Sequence, residues 1–145
     1  RRRGRTFVYP GETAHLVEVG FVSGRIIRSA SVTIMDVKWA LTENIGPDII
    51  AGNKEYLEEV VNGGRYSALK AIVTNRTLGA VKGLVVNALV FDDENNLLGI
   101  DSTVIDEIPS GQTAPVKFAW PQVFGKPVAS LVVEARSKDG LPPNE

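Results

Sequence analysis

The chain has no cysteine among its 145 residues. Zinc–thiolate sites, iron–sulfur clusters and disulfide scaffolds are therefore excluded, while the compartment stays open, because exported bacterial proteins often fold without disulfides. There is one histidine and one methionine, and no run of 18 apolar residues, so these residues include no membrane-spanning helix. The chain does not begin with Met and shows no signal-peptide pattern, so any targeting segment is expected outside it. Charge of one sign is also missing. With 16 Lys and Arg against 17 Asp and Glu, the formal net charge is −1, and no global positive field draws in nucleic acid. The local exception is Arg1-Arg2-Arg3-Gly4-Arg5, which reads either as a nucleic-acid arm or juxtamembrane flank or as a solvated end. It carries no interleaved aromatics on which bases would stack. The solvated end is the preferred reading, and no nucleic-acid partner is expected.

What is present is a diet of Val, Ile and Leu within a 43% apolar, 23% charged chain. That balance gives a globular protein with a core, and β-branched residues favour strands. In Leu84 to Phe91, period-2 alternation places Leu84, Val86, Ala88 and Val90 on one face and Asn87 on the other, where water would satisfy its amide. The block Asp92-Asp93-Glu94-Asn95-Asn96 has turn composition, and Leu97 to Ile105 resumes as a strand, which makes a hairpin. After a turn at Pro109-Ser110-Gly111-Gln112, the residues Val116, Phe118 and Trp120 alternate inward. Pro115 has no amide hydrogen, which puts that strand at an edge or delays its pairing. Val128 to Ala135 reads as the last strand and Tyr66 to Asn75 as an earlier one. The Glu-rich pattern of Tyr56 to Val61 fits either a short helical turn or an edge strand, and Asn62-Gly63-Gly64, which turns directly into Tyr66, favours the edge strand. About six strands with turns between them predict an all-β fold, an immunoglobulin-like β-sandwich.

An internal repeat accompanies the strands. Gly11-Glu12-Thr13-Ala14 corresponds to Gly111-Gln112-Thr113-Ala114, and Val17, Val19 and Phe21 correspond to Val116, Phe118 and Trp120 after a one-residue slip near His15. The slip fits a bulge. Further on, Val32 and Ile34 correspond to Leu131 and Val133. The expected organisation is therefore residues 1–44 as the C-terminal part of a truncated sandwich domain, with three strands over 5–41. A linker covers 45–54, a complete sandwich domain 55–138, and a flexible tail 139–145. Three strands leave an apolar face uncovered. Missing upstream residues, a second copy or the complete domain must cover it.

The segments Ala88-Leu89-Val90-Phe91-Asp92, Asn96-Leu97-Leu98-Gly99 and Ile108-Pro109-Ser110-Gly111-Gln112-Thr113 resemble the FxLYD-like class of bacterial immunoglobulin-like domains. Ala88 stands where that class has Phe, Phe91 where it has Tyr, and Ser110 where it has Gly or Pro. Tyr9-Pro10-Gly11-Glu12-Thr13 resembles the second-turn motif in a first copy. The resemblance implies tandem domains in exported, membrane-anchored bacterial proteins of the cell envelope. It implies extracytoplasmic localisation and a membrane link through a segment absent from this chain. Other cell-envelope proteins or the missing upstream domain residues are the expected partners.

Chemistry is sparse. His15 has neither a second His nor Cys beside it, only Glu12 and Glu18, and no Gly-x-Ser-x-Gly elbow is present. No catalytic residue, no cofactor and no enzyme activity is expected. Asp92, Asp93 and Asn95 are weak candidates for a calcium site, because hard oxygen donors gather there. The competing and preferred reading makes them turn caps, since the spacing of a helical calcium loop is absent. Asp101, Asp106 and Glu107 are considered as a carboxylate pair but read as solvent-facing strand residues. Asn75-Arg76-Thr77 fits an N-glycosylation pattern that matters only in a eukaryotic secretory setting. Phe118, Trp120 and Trp39 read as packing residues. Two functions result: a non-catalytic structural or protein-interaction module, or a carbohydrate- or peptide-binding β-sandwich module.

Overall fold

The computed structural model describes residues 8, 11–17, 29, 31–37 and 49–137. Six strands run β1 (Ile49–Val61), β2 (Gly64–Asn75), β3 (Val81–Phe91), β4 (Leu97–Ile108), β5 (Thr113–Trp120) and β6 (Ser130–Ser137). They form two antiparallel three-stranded sheets in the orders β1-β2-β5 and β4-β3-β6. The fold is an all-β sandwich.

Local chemistry places the turns. Val61 pairs with Gly64, so Asn62 and Gly63 are the two central residues, with φ of 51° and 78°. Both must sit at positive φ in a type I′ hairpin turn, which Asn-Gly supplies. The turn after β4 closes with the Gln112 amide donating to the Pro109 carbonyl at 3.1 Å. Gly111 holds φ of 69° there, the left-handed position of a type II turn. Pro115 lies on β5, which pairs with β2 on one side and is an edge strand of its sheet.

Alternation then builds the core. Leu69, Ala71 and Val73 of β2 face Leu84, Val86, Ala88 and Val90 of β3, with Val116 and Phe118 of β5, Ile108 and Val133 completing the cluster. Leu69, Leu84, Val86, Val90 and Phe118 are all at most 1% exposed. Burial of this kind contributes roughly 25 cal/mol per Å² of apolar surface.

Three expectations change. Residues 49–54, read as part of the 45–54 linker, are the first half of β1: Ile49 is buried and Ile49 to Gly52 pair with Asn75 to Ile72. Gly52 and Asn53 mark a bulge instead of a connection, with a register shift before Glu55 and Asn53 at φ of 49°. Secondly, Asn87 is 7% exposed and accepts a hydrogen bond from the Ser102 hydroxyl at 2.9 Å, so a cross-strand partner replaces water. Thirdly, none of the described residues in 1–44 lies in a strand. The remainder of the three-strand expectation over 5–41, including Val19, Phe21 and Trp39, and the 139–145 tail lie outside the described residues.

Candidate functional site

The acidic turn is a closed network. The Asp92 carboxylate is buried and accepts the backbone amides of Glu94 and Asn96 at 3.0 and 2.7 Å and the Asn96 side-chain amide at 2.9 Å. The Lys126 ammonium donates to Asp92 at 2.9 Å and to Glu94 at 2.7 Å. The hydrogen bonds from Asn96 and Lys126 hold the Asp92 carboxyl far below the usual carboxylate range, against the opposing effect of desolvation. Glu94 first and Asp92 second raise Lys126. Lys126 thus supplies the positive charge that a metal would bring to this turn. Asp93 and Asn95 are exposed, and Asn95 adopts φ of 62°. Among the described residues no three of His, Cys, Asp and Glu gather as a metal-binding group.

The other polar candidates are dispersed. Asp101 accepts the Ser102 amide at 2.8 Å, and Glu107 pairs with Lys82 at 3.4 Å. Asp101 and Asp106 are five positions apart on one strand, roughly 17 Å at strand rise. Asn75 is fully buried and donates to the carbonyls of Gly79 and Ile108 at 2.8 and 2.9 Å. Its own carbonyl accepts the amide and hydroxyl of Thr77, both at 2.8 Å. The Asn-x-Thr pattern is therefore a lock on the β2–β3 crossover, with no amide hydrogen left pointing to solvent. An Asn two residues before a Thr at a strand end was the sequence signal for this Asx turn.

A concave surface forms at the end of the sandwich where β1 turns into β2 and β5 ends. It is a shallow groove of about 470 Å³ lined by Val61, Gly64, Arg65, Tyr66, Ala119, Trp120 and Pro121. Trp120 is fixed from within. Its indole N–H donates to the Ile100 carbonyl at 3.1 Å, and its ring lies 5.4 Å from Phe124, which stacks on Tyr56 at 6.0 Å. Gly99 permits this, because a Cβ there would come within 2.6 Å of the Phe124 ring and 3.0 Å of Trp120. The Ser67 amide donates to the Gln122 carbonyl at 3.2 Å and holds the chain beyond Trp120 against β2.

Beside the groove, the outer face of the β1-β2-β5 sheet carries a charge lattice. Glu59 accepts from Lys117 at 2.7 Å and from the Tyr66 hydroxyl, and Lys70 lies 3.6 Å away. Lys117 also sits 5.7 Å from the Tyr66 ring centroid, and Arg65 pairs with Glu58. Lys117 and then Tyr66 lower the Glu59 carboxyl to about 2, while Glu59 raises both Tyr66 and Lys117. The tyrosine is pinned with its ring at the groove wall. Neither the groove nor this lattice was legible in the sequence, because Glu59, Tyr66 and Lys117 meet only through the β1–β2 and β2–β5 registers.

No protein-family model matches the chain. No curated protein matches it either.

Proposed function

We propose that this chain is a non-catalytic interaction module, an FxLYD-like immunoglobulin-like sandwich of an exported, membrane-anchored cell-envelope protein. The groove supports this reading. It is shallow and open and presents Tyr66, whose hydroxyl is held by Glu59, beside Val61, which suits contact with an extended chain or another protein's surface. Enclosed apolar cavities suit small substrates better. The charged groups beside it are neutralised in pairs, as in the Glu59–Lys117 contact, so recognition rests on shape and aromatic surface. The Tyr66 ring at the groove wall also favours the second reading, a carbohydrate or peptide ligand stacked against it.

Immobilised arrays of envelope glycans and extended peptides, probed with the intact chain and with Val61→Asp, test both readings. Val61 is half exposed, so the substitution leaves the core alone. The expected result is binding that Val61→Asp reduces at least tenfold. Binding that survives this change would remove the groove as the contact surface. An empty array leaves the protein-interaction reading to cross-linking from position 65 in envelope membranes, and adducts equal to those from position 82 would sink it.

A further inference from the structure

The outer face of the β4-β3-β6 sheet is covered on one side and open on the other. Asn87 pairs with Glu134, and Val85 with Arg136, so these four side chains point away from the core formed by Leu84, Val86 and Ala88. Asn87 and Leu89, both on this outer face, are only 7% and 5% exposed, whereas Ile100 and Val104 of β4 on the same face are 39% and 52% exposed. The Glu134 and Arg136 side chains are 12% and 11% exposed. A bare sheet face would leave such charges in water.

What meets them is the segment 11–17. The His15 backbone amide donates to Glu134 Oε2 at 3.1 Å, and His15 Nδ1 lies 2.6 Å from Glu134 Oε1, so one carboxylate grips backbone and ring together. Arg136 donates to Glu12 at 2.9 Å and lies 3.7 Å from Glu134. Four groups of alternating character thus bridge from β6 to residues that precede the sandwich in sequence by more than thirty positions. Hydrogen bonds to ionised groups are the stronger kind. A partly buried charge network contributes register and orientation more dependably than raw stability. Tethering raises the local concentration of the segment and makes modest contacts sufficient.

We infer that the outer face along β6 is the seat of residues 11–17, and that Glu12, His15, Glu134 and Arg136 form a charged clasp holding the upstream part of the chain against the sandwich in the same molecule. The two parts are then joined at a set orientation, by this clasp as well as by the connecting chain. The clasp lies toward the far end of β6 from the groove, and the inference stands whether or not the groove binds a ligand.

The absence of cysteine makes the test clean, because Thr13→Cys, at an exposed position, gives a single attachment point for a nitroxide label. In the 145-residue chain, the label should strongly attenuate the amide NMR signals of β6 around residues 133–136. The double change Glu12→Gln with Glu134→Gln should restore those signals while the dispersed core signals of Val73 and Val86 persist. Attenuation that survives the double change would show that the network does not hold the segment. An unattenuated β6 would overturn the seat itself. A mixed sample, with the label on one chain and nitrogen-15 on another, should show no attenuation. Attenuation there would place the segment on a second copy and overturn the intramolecular clasp.

Discussion

Gly11 and Gly111 share a left-handed conformation, with φ of 75° and 69°, and the chain then does two different things. After Gly111, the Gln112 carbonyl accepts the Asn75 amide, β5 pairs with β2 from Thr113 onward, and Val116 and Phe118 enter the core. After Gly11, residues 12–17 form no strand. Glu12 and His15 attach to side chains of β6, and Leu16 is 63% exposed. The contrast extends to Ile34, which is 76% exposed, while Val133, the residue set against it in the repeat expected from the sequence, is 7% exposed. A turn needs only its own few residues and the φ that glycine allows. A strand needs a partner that offers paired backbone groups and a facing sheet that takes its apolar side.

The sharpest way to break this contrast is to truncate one buried apolar residue of the sandwich and one exposed apolar residue upstream of it. Phe118→Ala should cost about 3–5 kcal/mol in urea melts, the usual loss for a fully buried Phe. Ile34→Ala should stay within about 0.5 kcal/mol, as exposed substitutions do. Similar losses at both positions would mean that the segment around Ile34 is packed as tightly as the sandwich.

Acid gives an intermediate effect. Glu59 and Asp92 are both held ionised below their ordinary ranges, Glu59 at about 2 against 4.5. A carboxyl with a depressed pKa in the folded state contributes stability above its unfolded value, and that contribution is lost as pH falls through the folded one. Stability should therefore decline from about pH 4.5 toward pH 2 and below. Glu59→Gln should flatten the upper part of that decline and Asp92→Asn the lower part. Parallel urea melts across this range check it, and an unchanged slope in both variants would remove these groups as its cause.

The smallest effect sharpens the comparison most directly. Gly111→Ala should cost about 1–2 kcal/mol, the penalty for an L-residue in the left-handed region. Gly11→Ala imposes the same local strain but closes no strand of the sandwich, so the melt reporting on the core should not move. Equal shifts in thermal melts of the two variants would tie the first turn into the cooperative unit.

The strand pattern was readable because period-2 alternation and turn residues are local signals. Leu84, Val86, Ala88 and Val90 were assigned to the core face by position alone and are all buried. Asn62-Gly63 and Gly111 predicted their turns for the same reason. Residues 49–54 are not legible as a strand, because Gly52 and Asn53 look alike in a linker and in a bulge. The parity of Asn87 gives its outer face correctly, but nothing in one strand reveals Ser102 across from it.

The sequence by itself determined the all-β class, the hairpins and turns, and which residues of each strand face inward, since these depend on neighbours within a few positions. Tertiary structure alone decided the groove at Tyr66 and Trp120, the capture of Asp92 by Lys126 thirty-four residues away, and the seating of His15 on Glu134. Such contacts depend on strand order and register, which bring distant residues within hydrogen-bond reach and leave no periodic mark along the chain.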